Sequence, residues 1–154
     1  MDIEFTLRTD TVDQAGPIKP LCVELQTSIR EVFSLLKQRG SSCLLICRQG
    51  QLCGIFTERD AMLLMQRQAD FDAPIESVMI ASPATLQADA TVAAAILRMS
   101  SGGFRRLPIV DPQGRPLGIL EVSGIVHYLV QHFPKTIYNL PPVAHPVMHD
   151  REGP

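Results

Sequence analysis

Two stretches of the chain carry apolar residues at the spacing of an amphipathic helix. The apolar face is formed by residues at i, i+3, i+4 and i+7, which are Ile29, Val32, Phe33 and Leu36 in the first stretch and Val92, Ala95, Ile96 and Met99 in the second. Ser28, three residues before Glu31, makes a capping-box pattern at the start of the first helix. Gly40 and the pair Gly102 and Gly103 stand where each helix would end in a left-handed residue.

The two stretches belong to an internal repeat. Residues 28–47 align without gaps with residues 91–110, and after one inserted residue GQLCGIFTERDAMLLM from Gly50 matches GRPLGILEVSGIVHYL from Gly114. In both copies the helix is followed by an apolar run, a polar turn containing glycine, and a second apolar run, which predicts a hairpin. Two copies of one unit therefore fill most of the chain.

Further elements complete each copy. Helical segments are expected at 61–68 and 125–132, and short extended stretches, each preceded by proline, at 21–25 and 84–86. Each copy then has the order strand, helix, strand, strand, helix. A unit of about 60 residues buries too little apolar surface to be stable alone. We therefore expect an α/β (α+β) fold in which two pseudo-symmetric β-α-β-β-α units pack sheet to sheet.

Composition and missing motifs exclude several classes of function. The chain has 154 residues, is 45% hydrophobic and carries 14 basic against 16 acidic residues, a balance that does not favour a nucleic acid partner. No apolar run approaches the roughly 18 to 20 residues that span a membrane, and no leader pattern opens the chain, so a cytoplasmic protein without a membrane partner is expected. A nucleophile elbow, a phosphate-binding P-loop and a dinucleotide glycine fingerprint are missing, so we expect no enzyme.

Metal binding is not expected either. The four cysteines have no CxxC spacing, which favours buried thiols over a zinc site, and they are Cys22, Cys43, Cys47 and Cys53. His145 and His149 are four residues apart, but Pro146 between them argues against the helix that would bring them together. They lie in a proline-rich tail, 134–154.

The order of elements, the repeat length and two motifs resemble a known family. GIFTERD at 54–60 and FRRLPIVD at 104–111, inside a duplicated unit, resemble the pair of cystathionine-beta-synthase-type (CBS) domains called a Bateman module. The likeness covers roughly 14–133, with one domain at 14–70 and the other at 75–133. It implies a non-catalytic regulatory module without an obligatory cofactor. Two clefts between the domains would hold AMP, ADP, ATP or another adenosyl compound, such as S-adenosylmethionine or one of the NAD type.

The resemblance also implies which residues bind the ligand. In the family motif the Thr contacts ribose or phosphate and the Asp holds the ribose hydroxyls, and these positions are Thr57 and Asp60. From the second repeat the same cleft would take Ile80, Ala84, Phe104, Arg105 and Arg106, the apolar ones against adenine and the arginines against phosphate. Simpler interpretations remain open: a helix capping box for Thr57 and Asp60, a core position for Phe104, and a solvated strand edge for the arginines.

The second copy departs from the motif. Thr57 corresponds to Glu121 and Asp60 to Gly124, so the second cleft lacks the ribose carboxylate and has an acid where phosphate would approach. Ser123 is expected to cap the helix that starts there. This degeneracy favours an alternative in which the protein is a structural or interaction module with degenerate ligand sites.

The helices after the two motifs are too apolar to face solvent on all sides. Their apolar residues are Met62, Leu63, Leu64 and Met65 in the first copy and Ile125, Val126, Tyr128, Leu129 and Val130 in the second. Core packing accounts for part of this set, and the remainder predicts a homodimer interface. Because no output domain is recognised, a regulatory signal would pass to a separate effector protein.

Overall fold

The computed structural model describes residues 3–134. The α-helices and strands follow one another along the chain as α1 (Ile3–Thr9), β1 (Cys22–Glu24), α2 (Ile29–Arg39), β2 (Cys43–Arg48), β3 (Gln51–Thr57), α3 (Glu58–Gln66), β4 (Ile80–Ala81), β5 (Leu86–Gln87), α4 (Val92–Gly102), β6 (Arg106–Val110), β7 (Pro116–Glu121) and α5 (Val122–His132). Within the described residues, no helix has both the length and the apolar character needed to cross a membrane. The predicted tail lies outside the described residues, apart from its first position.

The strands form two sheets of the same plan. One has the order β1-β2-β3-β4 and the other β5-β6-β7. In each sheet a short parallel strand pairs with the first strand of an antiparallel hairpin, and both hairpins shift register, at Ile46/Cys47 in one copy and at Ile109/Val110 in the other. The expected pair of β-α-β-β-α units with pseudo-symmetry is therefore confirmed.

The predicted helix boundaries follow from local hydrogen bonds. Ser28 Oγ accepts a bond from the Glu31 amide at 3.1 Å, and Thr91 caps α4 in the same way. Gly40 and Gly103 end α2 and α4 with φ of +59° and +70°, a backbone conformation in which glycine carries no steric penalty.

The core has three parts. Each repeat packs its two helices against one face of its own sheet, around Phe56 in the first repeat and Leu107 in the second. The third part lies between the sheets and contains Cys43, Leu45, Ile55 and Ile119. The repeats are therefore joined through the opposite faces of their sheets.

The segment before each repeat pairs with the sheet of the other. β4 pairs with β3 in an antiparallel arrangement in which Ile80 faces Ile55. Ile18 pairs with Ile119 through two backbone hydrogen bonds of 2.9 Å. These pairings could not be predicted from the sequence, because a strand of two residues has no measurable periodicity.

The N-terminal segment precedes the first repeat in the chain but packs against the second repeat. Helix α1 packs on α4, and the 3-10 helix Val12–Ala15 places Val12 and Ala15 in the core of the second repeat. Asp10 anchors the segment, because its backbone carbonyl accepts a bond from the Val92 amide and its carboxylate accepts one from the Tyr128 hydroxyl. The repeat pattern in the sequence begins after this segment, so no structural role was predicted for residues before 14.

The cysteines are mostly buried, as expected, with one exception. Cys43 and Cys47 lie in the core and Cys53 is half-buried, but Cys22 is exposed, so the prediction was wrong for that residue. β1 lies at the edge of its sheet, which leaves one side of the strand open. Burial raises the pKa of Cys43, and that of Cys47 to about 12, so both thiols stay protonated at neutral pH.

We predict that Tyr128→Phe lowers the free energy of unfolding by about 1.5 to 3 kcal/mol, the usual range for a hydrogen bond to a charged group. Burial, followed by the bond to Asp10 and its negative charge, raises the pKa of Tyr128 from 10.0 to about 12. The folded state therefore favours the protonated phenol, and this contribution is complete below pH 10 and lost as the pH rises to 12.

Urea denaturation between pH 7 and 12 measures both effects. The difference between wild type and Tyr128→Phe should shrink above pH 10. A constant difference across the whole range would contradict the assignment of the Tyr128 proton to this bond.

Candidate functional site

A cavity of about 280 Å³ opens along the seam between the two repeats. It is lined by Ile55, Thr57, Arg59, Ile80, Pro83, Ala84, Gly103, Phe104, Arg105, Arg106 and Pro108. Six of the seven residues predicted from the sequence are among them, and both repeats contribute. Asp60 is the seventh, and it faces a separate cavity of about 230 Å³ beside α3. We call the first cavity the seam cleft.

Thr57 and Asp60 form a capping box at the start of α3. Asp60 Oδ2 accepts bonds from the Thr57 amide and hydroxyl, both at 2.9 Å, and Thr57 Oγ1 accepts from the Asp60 amide at 3.4 Å. The simpler interpretation of this pair therefore describes a real contact. The capping box involves only one oxygen of the Asp60 carboxylate, because Oδ1 accepts no hydrogen bond from residues 3–134.

The apolar side of the seam cleft comes from the second repeat and the connection that leads to it. Phe104 is 40% exposed, so it is not the core residue that the simpler interpretation suggested. Its ring lies over Gly102, where a Cβ would stand 2.3 Å from Phe104 Cε2. Because Gly102 has no side chain, the ring can fold back over the end of α4 beside Ile80 and Ala84.

The polar side of the seam cleft is basic. Arg59 comes from the first turn of α3, Arg105 lies directly before β6, and Arg106 is the first residue of β6. None of the three guanidinium groups forms a hydrogen bond or ion pair within the described part of the chain. Arg59 was not among the predicted site residues, although its place between Thr57 and Asp60 in the first turn of a helix could have indicated it.

Arg106 differs from the other two arginines because it is half-buried and its Nε is fully shielded without a hydrogen-bond partner. Glu121 faces it across the β6–β7 ladder but forms no ion pair with it. Both residues act electrostatically on the neighbouring Cys43 thiol. Burial raises the pKa of this thiol, the positive charge of Arg106 lowers it, and the negative charges of Glu121 and Glu58 raise it.

The pseudo-symmetric position in the second repeat is built differently. A Cβ at Gly124 would stand 2.6 Å from the backbone oxygen of Ala15, so the N-terminal segment occupies the space that an aspartate would need. By the sequence alignment, Ser41, Ser42 and Cys43 stand where Phe104, Arg105 and Arg106 stand in the seam cleft. The two pseudo-equivalent positions thus differ in both packing and residue types.

The expectation that Ser123 caps α5 was wrong. The N-cap residue is Glu121, and no side-chain hydrogen bond caps this helix start. Helix α5 begins two residues earlier than serine capping would require, because β7 runs directly into it.

The CBS domain model matches residues 15–67 and 75–131. The chain belongs to the CBS domain family. An uncharacterized 17.7 kDa protein of Acidianus ambivalens is 29% identical over 120 residues, which cover 77% of this chain and 73% of that protein. The CBS domain-containing protein CBSCBSPB5 of Arabidopsis thaliana is 26% identical over 130 residues, and there the match covers 82% of this chain but 24% of the plant protein.

Solved structures share the fold. CBSX2 in complex with AMP superposes with a TM-score of 0.69 at 23% identity, over 79% of this chain and 97% of that one. The CBS domain pair of protein MJ0100, in complex with 5-methylthioadenosine and S-adenosyl-L-methionine, gives a TM-score of 0.71 at 23% identity, over 80% and 98%. The expected family and fold are both confirmed.

We predict that Gly124→Asp, which restores the motif carboxylate in the second copy, destabilises the protein. Its Cβ would clash with the backbone of buried Ala15, which cannot move without disturbing the core, and overpacking of this kind costs about 1 to 3 kcal/mol. Thermal and urea denaturation measure the change. Ser123→Asp, which adds the same charge at an exposed neighbouring position, should leave stability nearly unchanged. Equal stability of both variants would contradict the close packing of α5 on Ala15.

Proposed function

We propose that this CBS pair is a cytoplasmic regulatory module that catalyses no reaction. An adenine nucleotide or other adenosyl ligand would bind in the seam cleft, and the resulting change in packing would pass to a separate effector protein. One observation carries the proposal: six predicted ligand residues, drawn from both repeats, converge on one cavity between them. The AMP and S-adenosyl-L-methionine complexes of the structural neighbours support an adenosyl ligand.

In this proposal the apolar and polar sides of the cleft hold different parts of the ligand. Phe104, Ile80 and Ala84 would contact the adenine ring, and Thr57, Arg105 and Arg106 would meet ribose and phosphate oxygens. Asp60 faces the separate cavity beside α3, so the ribose would have to extend from the seam cleft toward that cavity to donate a hydroxyl to its free Oδ1, while Oδ2 keeps the capping bonds to Thr57. Ligand binding then need not break the helix start.

A signal requires that the ligand bind one arrangement of the protein more tightly than another. The seam cleft meets this requirement because its walls belong to different repeats, in the domains proposed at 14–70 and 75–133. A shift of one repeat against the other would change the distance between Thr57 and Arg106, and with it the contacts of a shared ligand.

We predict that Asp60→Ala weakens the binding of AMP or ATP about tenfold or more, because it removes the proposed ribose acceptor. It should also lower stability by about 0.5 to 2 kcal/mol through the lost cap. Isothermal titration calorimetry measures the first effect and urea denaturation the second.

Ser28→Ala is the control, because it removes a side-chain capping hydrogen bond at the N-terminus of α2, away from the seam cleft. It should lower stability to a similar degree and leave affinity unchanged. If Asp60→Ala loses stability but keeps wild-type affinity, Asp60 acts only as a cap.

The alternative, a structural or interaction module with degenerate ligand sites, is favoured by one observation. The N-terminal segment fills the space beside Gly124, so one of the two pseudo-equivalent positions is packed with protein. This alternative predicts that AMP, ATP, NADH and S-adenosylmethionine all fail to bind to the full chain. Titration of the four ligands therefore separates the two functions.

We further propose that the module is a homodimer formed through α3 and α5. Leu64, Ile125 and Tyr128 of the predicted apolar set are buried in the repeats, but Met62, Met65 and Val126 are exposed to 53% or more. The exposed residues lie on pseudo-equivalent helices, so a second copy related by a twofold axis could cover both faces.

We predict that Met65→Glu shifts the protein toward monomer at micromolar concentration, because it places a charge in the proposed apolar interface. Sedimentation velocity gives the mass. Gln66→Glu adds the same charge at an exposed polar position of α3 and should leave the mass unchanged. A wild-type protein that sediments as a monomer would contradict the dimer.

A further inference from the structure

The seam cleft contains three guanidinium groups and no acidic lining residue. We propose that it selects a nucleoside di- or triphosphate over the monophosphate and over adenosyl compounds that carry a positive sulfonium group. Arg59 is the specificity-determining residue. This inference rests on the proposed function, since it names the ligand class of the same cleft.

The first argument is charge. Arg59 approaches from the first repeat, and Arg105 and Arg106 approach from the second. None of the three is neutralised by a hydrogen bond or ion pair within residues 3–134, and the acids Glu58 and Glu121 lie nearby without lining the cleft. Three like charges around a cavity of about 280 Å³ repel one another, and a ligand with several negative charges relieves that repulsion.

The second argument is hydrogen bonding. A guanidinium group offers five N–H donors in a planar fork that matches phosphate oxygens. Arg106 Nε is shielded from solvent and has no acceptor in the protein, which is costly for a buried donor. A phosphate oxygen bound at Arg106 would satisfy this donor once the side chain turns to bring Nε out of its shielded position. Arg59, across the seam on α3, is then placed to meet a second phosphate rather than the first.

The third argument is the contrast with the other half of the molecule. By the repeat alignment, Ser123 stands where Arg59 stands, and Ser42 and Cys43 stand where Arg105 and Arg106 stand. The cationic set therefore occurs once per chain, at the only copy of the motif that retains both Thr57 and Asp60. A cationic sulfonium would meet these same three arginines and be repelled.

Titration calorimetry on the full chain in magnesium-free buffer of fixed ionic strength tests the proposal with ATP, ADP, AMP, adenosine and S-adenosylmethionine. We expect ATP and ADP to bind at least about tenfold more tightly than AMP, and S-adenosylmethionine to bind more weakly than adenosine. Arg59→Gln should lower the affinity for ATP about tenfold while changing that for AMP by less than about twofold. Arg59→Lys should keep part of the preference, since it retains charge without the fork.

The control variant is Arg98→Gln, which removes an exposed arginine of α4 outside the seam cleft. It should leave the ratio of ATP to AMP affinity unchanged, and denaturation curves should show that all variants fold. Equal affinities for AMP and ATP, tight binding of S-adenosylmethionine, or an equal loss for AMP and ATP in Arg59→Gln would each overturn the selectivity while leaving an adenosyl site in place. Failure of all five ligands to bind would overturn the proposed function and this inference together.

Discussion

The fold depends on the apolar contact between the two sheets. Each sheet is covered by helices on one face only, and its other face presents residues such as Leu45 and Ile119 that are fully or almost fully buried. A repeat of this size that exposed such a face would lose about 25 cal/mol for every square ångström of apolar surface left in water. The two repeats must therefore share their inner faces, and any cleft between them follows from imperfect closure of that seam.

Strand pairings between the two repeats fix how their sheets lie against each other. Ile80 pairs with the sheet of the first repeat and Ile18 with the sheet of the second, so each repeat holds the segment that leads into the other. These pairings are short, and sliding of one repeat against the other would disturb them before it disturbed either hairpin. The exchanged segments are thus the place where a change of packing would be accommodated at least cost, and Ile80 and Ala84 on one of them also line the seam cleft.

Much of this arrangement could be predicted from the sequence, because a duplicated pattern reports the same element twice. The helix caps at Ser28 and Gly40 and the two hairpins came from local rules that tertiary contacts did not override. The failures have different causes. Ser123 was expected to cap by residue type alone, whereas the path of β7 into α5 decided where the helix begins. The role of Ala15 could not be read locally, since its contact with Gly124 joins positions far apart in the chain.

In the candidate site, too, residues that belong to a local motif could be predicted, whereas residues brought together by tertiary contacts could not. The family motif was enough to predict Thr57 and Asp60 as site residues. Arg59 could be recognised as a site residue only from the structure, in which Arg105 and Arg106 of the other repeat line the same cavity. Duplication supplied two equivalent frameworks, and the N-terminal segment then filled one of them through Ala15 while the other kept its cavity. The proposed ligand, bound on only one side of a pseudo-symmetric seam, would exert an unbalanced force on it. In the proposed function the two repeats would then tilt rather than separate evenly, and the tilt is the change that a partner contacting both repeats would detect.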